Sequence, residues 1–339
     1  MSLDLNRKKV TKNAFRITKR RNYTALRVRV PGGHLNARLL SAIALLADKY
    51  GDGTLHITTR QGFEIPNIPF ERMEEVNKDL QLLLKEFQVK NGVKIENLSA
   101  GYPAAGMRNI SACVGNRVCP FANTDTTALA QRLEGLLYPN DLHVKVAITG
   151  CPNDCIKAHM QDFGIIGICE PEYSYDDCIG CEACVKACER KVTGALRMQN
   201  GKVYRDERRC IGCGECVLAC PTAAWTRRPG RLYRVLIMGR TGKRNPRLAM
   251  PFLDRVSEDV VCQLIVNTLP YAETHRLKCI PKEHIGYIVD RTGLAQFKEE
   301  VLAGIKFNPE ARIAKTMQWP GYNTLNDANF VSALRKAPT

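Results

Sequence analysis

Apolar and polar positions over the first ninety residues follow strand and helix periods in turn. Tyr23–Val30 alternates as a half-buried strand does, and a Pro-Gly-Gly turn ends it. Apolar residues then recur at helical spacing over His34–Tyr50, which a Gly-Asp-Gly segment closes. We predict a second strand over Thr54–Thr58 and a second helix over Glu71–Phe87. Residues 1–90 are therefore expected to form an α/β domain.

The rest of the chain divides at a cysteine-rich stretch, residues 172–229. Residues 91–171 precede it and carry separate cysteine pairs, whereas residues 230–339 return to ordinary α/β composition. The overall class predicted is α+β, with α/β domains interrupted by a compact insert. The elements predicted after the insert are a strand over Leu232–Met238, a helix over Glu258–Leu269, and a glycine turn leading into a helix within Asp290–Leu302.

Composition favours a cytoplasmic protein without a membrane span. The longest apolar run, Leu39–Ala47, is too short to cross a bilayer and suits a buried helix. The basic segment Met1–Arg21 lacks the apolar stretch of a signal peptide. In a cytosolic chain, 15 cysteines indicate metal ligands, and the odd number argues against complete disulfide pairing.

Eight of the 15 cysteines lie in the insert and repeat one spacing twice. The pattern C-x2-C-x2-C-x3-C is typical of bacterial ferredoxins with two [4Fe–4S] clusters, in which the fourth cysteine binds the other cluster. Zinc is the alternative, but zinc sites usually use two separated pairs of ligands. We assign cluster one to Cys178, Cys181, Cys184 and Cys220, and cluster two to Cys188, Cys210, Cys213 and Cys216.

Four upstream cysteines form a different pattern, C-x5-C followed by C-x3-C. They are Cys113, Cys119, Cys151 and Cys155, and this spacing fits neither a zinc finger nor a ferredoxin. Glycine, proline and asparagine residues beside them allow the backbone to curl around a cluster and donate N–H groups to its sulfurs. The alternative is four unrelated buried thiols. The remaining three, Cys169, Cys262 and Cys279, match no motif and are interpreted as ordinary thiols.

The upstream cysteines resemble the signature of the siroheme-dependent sulfite and nitrite reductases, and Thr59-Arg60-Gln61 resembles that family's arginine motif. The resemblance implies a ferredoxin-like half-domain near the N-terminus and a third [4Fe–4S] cluster, which Cys155 links to siroheme. It also implies that Arg60, Arg108 and Lys145 hold an oxyanion and supply protons. His143 replaces the first lysine of the family's Lys-x-Lys; it could donate a proton, lie behind the site or belong to the core.

One side of the expected siroheme pocket is left open by the sequence. Larger members of the family carry two half-domains, and only one copy is found here. The segment Met238–Pro246 is a candidate for the missing wall, with cations for the siroheme carboxylates. It lacks the first glycine of a P-loop, which argues against nucleotide binding. The predicted carboxylate ligands are Arg240, Lys243 and Arg244.

The formal charge of +16 invites an interpretation as a nucleic-acid-binding protein. That charge counts cysteine as neutral, whereas each cluster with its thiolates carries about −2. Three clusters and about eight siroheme carboxylates leave a net charge of roughly +2. The basic excess is therefore what the cofactors would neutralise, and nucleic-acid binding is the least favoured alternative.

The function expected from this resemblance is the six-electron reduction of sulfite to sulfide in a catalytic subunit. Electrons would enter the insert from flavin-containing, NADH-oxidising and iron–sulfur companion subunits. The chain has no G-x-G-x-x-G after a strand, so no dinucleotide site of its own is expected. Two alternatives stay open: a siroheme nitrite reductase producing ammonia, and an iron–sulfur electron-transfer subunit without siroheme.

Overall fold

A computed structural model describes residues 14–103, 106–190, 193–241, 246–280 and 283–315. Within these ranges, none of the helices has both the length and the apolar character needed to cross a bilayer. The strands are β1 (Phe15–Ile17), β2 (Tyr23–Val28), β3 (His56–Ile57), β4 (Phe63–Pro69), β5 (Ser111–Ala112), β6 (Val146–Thr149), β7 (Phe163–Ile168), β8 (Pro171–Tyr173), β9 (Leu196–Gln199), β10 (Lys202–Arg205), β11 (Trp225–Arg227), β12 (Leu232–Ile237), β13 (Met250–Val256) and β14 (Arg312–Ile313). The helices are α1 (Ala37–Tyr50), α2 (Met73–Asp79), α3 (Gln81–Asn91), α4 (Thr126–Leu137), α5 (Ala183–Arg190), α6 (Glu215–Ala219), α7 (Glu258–His275), α8 (Ile285–Thr292) and α9 (Leu294–Leu302).

The N-terminal part is an antiparallel sheet in the order β1-β2-β4-β3, covered by α1, α2 and α3. Strand β4 escaped prediction because its buried residues, Ile65 and Ile68, are three apart instead of two. Asn67 between them has a φ of 58°, and the pairing of β2 with β4 shifts its register. Such an irregularity is a β-bulge, which breaks the alternation that identifies a strand.

The helices of this part differ from the predicted ones in two ways. The helix predicted over Glu71–Phe87 is two helices, α2 and α3, separated at Leu80. The helix containing Leu39–Ala47 is α1, which begins where the Asn36 side chain accepts the N–H of Leu39 at 2.8 Å. The expectation of a buried helix here was wrong, because α1 buries one face and leaves Leu45 68% exposed on the other.

The larger sheet has the order β14-β13-β12-β7-β6-β5, and only β5, β6 and β7 run parallel to each other. The main apolar core lies between this sheet and the helices α4, α7, α8 and α9. Because β5, β6 and β7 are parallel, their carboxyl ends lie at one edge of the sheet and their amino ends at the opposite edge. Those two edges carry the four upstream cysteines and the predicted cations Arg60, Arg108 and Lys145.

The cysteine-rich insert begins and ends on one antiparallel pair, β8 with β11. Inside it, α5 and α6 pack together and β9 pairs with β10. Its small core consists of five apolar residues and three cysteines, which is little apolar material for a stable unit. Metal clusters would supply the missing stabilisation. The buried members of this core are Cys184, Val185, Cys188, Ala195, Leu196, Val203, Cys216 and Trp225.

Candidate functional site

The upstream cysteines gather at the carboxyl edge of the parallel strands, which we call the cysteine edge. Cys113 follows β5 directly, and Cys151 follows β6 after one glycine. Burial raises the pKa of the Cys151 thiol, and the nearby thiols of Cys119, Cys113 and Cys155 raise it further. The Cys113 sulfur accepts the N–H of Gly150 at 3.1 Å. The other three thiols thus lie close enough to Cys151 to disfavour its deprotonation, and an iron–sulfur cluster, whose iron ions hold thiolates, fits this group.

Glycines close the turns that carry these thiols. At Gly150, a Cβ atom would lie 2.8 Å from the Cβ of Ala122. At Gly115, φ is +60° and a Cβ would lie 2.4 Å from the hydroxyl oxygen of Thr126. That hydroxyl donates to the carbonyl of Cys113 at 2.7 Å. Side chains are therefore excluded at both glycines by the same packing that orients the thiols.

In the insert, the structure brings the eight thiols together in two sets. The thiol neighbours that raise the pKa of Cys213 include Cys210 and Cys188, after burial as the main cause. Cys188 therefore lies with the second repeat, as the crossed ligand assignment requires. Within the described ranges, no three His, Cys, Asp or Glu side chains are arranged to hold a single metal ion. The other set lines one cavity, whose cysteines are Cys178, Cys181, Cys184 and Cys220.

The loop between Cys210 and Cys213 is joined to the cysteine edge by direct hydrogen bonds. Cys169 donates its N–H to the carbonyl of Gly212 at 2.8 Å. The side-chain amide of Asn123 donates to the same carbonyl at 3.4 Å, and its backbone N–H donates to Gly150 at 2.7 Å. Gly150 in turn donates its N–H to the Cys113 sulfur, so hydrogen bonds link the loop that carries Cys210 and Cys213 to the upstream cysteines. Sequence reasoning missed Asn123, since nothing in its spacing marks it.

Arg60 lies at the amino edge of the parallel strands, which we call the cation edge. Its three guanidinium nitrogens donate to the carbonyls of Asn109 at 2.9 Å and Val146 at 2.6 Å, and to the Gln161 side chain at 2.6 Å. Burial lowers its pKa to about 10, and the charge of Asp162 opposes that shift. Arg60 is thus held rigidly and stays cationic at neutral pH.

Arg108 precedes β5 and belongs to a group of arginines at the cation edge. Burial lowers its pKa to about 10, and the charges of Arg27, Arg60 and Arg29 lower it further. Arg16 has a pKa lowered to about 10 by burial and by Arg27 and Arg108. Glu64 and Glu134 offset the charges of Arg27 and Arg29 at 2.5 and 2.6 Å, and the remaining positive charge of the group favours a bound anion, so siroheme carboxylates or an oxyanion fit here.

Sequence reasoning missed Arg16 and Arg27 as members of this group. Arg27 alternates with the buried Leu26 and Val28 on β2, so its polar position in the strand pattern was the available signal. Arg16 lies on β1, whose three residues are too few for a periodic pattern.

Lys145 directly precedes β6, also at the cation edge. It is half-buried, and its ammonium donates to the carbonyl of Thr241 at 3.1 Å. Its backbone N–H donates to the Asp162 carboxylate at 3.0 Å. Arg60 and Lys145 both lie at the start of β6, because Arg60 donates to the carbonyl of Val146, the residue that follows Lys145.

His143 is buried, with its ring edge-to-face against His284 at a centroid distance of 4.5 Å. It also lines a cavity with Asp141, Arg276 and Glu283. Of the three positions that the sequence left open for it, this one lies behind the cation edge, since His284 in turn contacts Asp162.

Arg240 is the one described residue among the three predicted carboxylate ligands. Its guanidinium lies 3.2 Å from the Asp290 carboxylate and 4.1 Å above the Tyr287 ring. It therefore faces α8 and is paired with a protein carboxylate in this structure. Lys243 and Arg244 lie outside the described residues, and siroheme binding by this segment stays a prediction.

Both parts of the fold match domains of one protein family. Residues 16–83 match the nitrite/sulfite reductase ferredoxin-like half domain, and residues 104–308 match the nitrite and sulphite reductase 4Fe-4S domain. The second match alone covers more than half of the chain. The chain therefore belongs to the nitrite and sulfite reductase family, which confirms the resemblance and the α+β class predicted from the sequence. Siroheme and an iron–sulfur cluster are the cofactors of this family.

The chain is also similar to individual sulfite reductases. The chain is 47% identical over 322 residues to an anaerobic sulfite reductase subunit of Salmonella typhimurium, covering 94% of this chain and 95% of that one. It is 30% identical over 167 residues to the coenzyme F420-dependent sulfite reductase of Methanocaldococcus jannaschii, covering 48% of this chain and 25% of that one. A crystal structure of dissimilatory sulfite reductase I has the same fold, with a TM-score of 0.63 and 18% identity over 86% of this chain and 74% of that one.

Proposed function

We propose that the protein is the siroheme-bearing catalytic subunit of an anaerobic sulfite reductase and reduces sulfite to sulfide. The observation that carries this proposal is the distribution of side chains around the parallel strands β5, β6 and β7. Thiols lie at the carboxyl ends of these strands, and cations lie at their amino ends. A segment leads from Cys151 over the sheet to β7, and Cys155 on it is the exposed member of the four thiols. The similarity to the Salmonella sulfite reductase subunit over nearly the whole chain supports the same substrate.

Cofactor binding would use the cysteine edge and the insert. The four upstream thiols would hold one [4Fe–4S] cluster, and Cys155 would also contact the siroheme iron. The insert would hold two further clusters, so three in all. When bound, the siroheme and its cluster supply the electrons that reduce the sulfur atom of sulfite.

The cation edge would bind the sulfite anion and supply the protons that its reduction consumes. Bisulfite takes up six electrons and six protons to give HS⁻ and three water molecules, because each oxygen leaves as water. Arg60 and Arg108 would bind the oxyanion, since guanidinium groups pair with oxygens through parallel hydrogen bonds. Lys145 would donate protons, because an ammonium gives up a proton more readily than a guanidinium.

Electrons would pass through the insert in a defined order. The hydrogen bonds through Asn123 and Cys169 support a position for cluster two next to the cysteine edge, so cluster one would receive electrons first. Cys181 of cluster one is exposed, as a group that accepts electrons from another protein needs to be. The Salmonella relative is a subunit of a sulfite reductase, which supports the presence of companion proteins here. We propose that these are NADH-oxidising, flavin-containing and iron–sulfur subunits in the cytoplasm.

Steady-state turnover with reduced methyl viologen as the electron donor tests this proposal. We expect sulfide to form from sulfite, with one sulfide for every six electrons consumed, and slower turnover of nitrite at equal concentration. Faster nitrite turnover would make the protein a nitrite reductase. Purified protein without tetrapyrrole absorption in a pyridine extract would make it an electron-transfer subunit.

A further inference from the structure

A buried acid–imidazole pair lies directly behind Lys145, and the proposed reaction does not use it. Asp162 and His284 are both 0% exposed, and His284 Nδ1 lies 2.7 Å from Asp162 Oδ1. Among the described residues, His284 Nε2 has no hydrogen-bond partner. Burying such a pair is costly, and replacing it with apolar residues would often stabilise a protein. Stability alone therefore does not explain why this pair lies beside the cation edge.

The second oxygen of Asp162 holds Lys145 by its backbone. Asp162 Oδ2 accepts the N–H of Lys145 at 3.0 Å, and the next N–H along the chain, from Phe163, donates to the Lys145 carbonyl at 3.0 Å. The Asp162 carbonyl also accepts the N–H of Met238 at 2.9 Å. Met238 starts the loop whose Thr241 carbonyl accepts the Lys145 ammonium. The backbone of Lys145 is thus hydrogen-bonded to Asp162, and its ammonium group is hydrogen-bonded to a segment that Asp162 holds.

Arg60 depends on the same short segment. Gln161, the neighbour of Asp162, accepts from the Arg60 guanidinium at 2.6 Å, and the Asp162 charge opposes the effect of burial on the Arg60 pKa. His284 fixes the Asp162 carboxylate from the other side. The ring of His143 packs against that of His284 and keeps it in place. The pair therefore sets the position of two cations that come from different parts of the chain.

We propose that Asp162 and His284 are positioning residues for the sulfite site: His284 orients the Asp162 carboxylate, which holds Lys145 and the segment beside Arg60 in place for the anion. This inference rests on the proposed function. Misplacing a reacting group by about 1 Å can cost on the order of 100-fold in rate. Disrupting the pair should therefore lower kcat more than it raises KM for sulfite.

Two substitutions of His284 separate positioning from simple structural support. His284→Leu removes the donor to Asp162, whereas an asparagine in His284→Asn can donate an amide N–H from nearly the same place. We expect kcat per bound siroheme to fall by about 10- to 100-fold in His284→Leu. In His284→Asn most of that loss should be recovered, with siroheme content unchanged in both. His275→Leu is the matched control, because His275 also pairs with a carboxylate, 2.8 Å from Glu300, but lies away from the site. The kcat of His275→Leu should stay near the wild-type value.

Asp162→Asn provides a second test in case His284→Leu does not fold. The amide can still accept from Lys145 and donate to His284, whose ring then changes tautomer, so the shape is kept and only the charge is lost. Because both hydrogen bonds remain, we expect kcat per siroheme in Asp162→Asn to stay within about threefold of the wild-type value, whereas Asp162→Ala, which removes both, should lower it by about tenfold or more. Equal kcat per siroheme in His284→Leu, His284→Asn and wild type, an unchanged value in Asp162→Ala, or a fall of about tenfold or more in Asp162→Asn would overturn the positioning role. A wild-type protein without sulfite turnover would instead overturn the proposed function on which the role rests.

Discussion

Substitution of Glu134 should destabilise the joint between the two parts of the fold. The Glu134 carboxylate on α4 lies 2.6 Å from the Arg29 guanidinium, which follows β2, and their side chains are 0% and 7% exposed. Arg29 also donates to the carbonyl of Met107 at 2.8 Å, next to Arg108. Because Glu134→Ala leaves a buried guanidinium without its partner, we expect a loss of about 3–5 kcal/mol in the free energy of unfolding.

An exposed ion pair provides the matched control. Arg72 and Glu75 lie 3.3 Å apart, with side chains 34% and 55% exposed, so Glu75→Ala should cost no more than about 0.5 kcal/mol. Urea unfolding of both variants, followed by far-ultraviolet circular dichroism, measures the difference. Since Arg29 holds the segment that carries Arg108, Glu134→Ala should also lower sulfite turnover per siroheme. An unfolding midpoint for Glu134→Ala no lower than that of Glu75→Ala would refute the reasoning.

Three further substitutions test single links in the account. Cys155→Ser should abolish electronic coupling between siroheme and its cluster, seen by electron paramagnetic resonance, while both insert clusters stay reducible; unchanged sulfite turnover would refute the bridging role. Lys145→Met should lower kcat more than siroheme content, measured by turnover and pyridine extraction; equal losses would make Lys145 a siroheme anchor. Gly115→Ala should lower iron content per chain by disturbing the turn between Cys113 and Cys119, since its Cβ would meet Thr126; full iron content would show that the turn can adjust.

Local patterns in the sequence were sufficient where neighbouring residues carry the chemistry. The cysteine spacings placed all twelve thiols in sets that the structure brings together, because a cluster is wrapped by a few short turns. The helix over α1 and the strand β2 followed from periodicity for the same reason. Irregular geometry was not readable: the bulge at Asn67 hid β4, and the break at Leu80 split a continuous helical pattern.

Contacts between distant residues could not be read from one sequence. Asp162 and His284 are 122 positions apart, and neither lies in a recognisable motif. Arg29 and Glu134 are 105 positions apart, and each looks like an ordinary surface charge in its own element. The role of His143 was left open for this reason, since its neighbour His284 comes from beyond the insert. Long-range pairing is set by how the domains pack, which local periodicity does not encode.

The cofactor content of anaerobically purified protein tests the central claim most directly. Iron, labile sulfide and siroheme should be measured on the same sample and expressed per chain. Three [4Fe–4S] clusters and one siroheme predict about 13 iron atoms, about 12 labile sulfides and about one siroheme per chain. About eight iron atoms without any tetrapyrrole would contradict the account and leave a ferredoxin-type electron carrier.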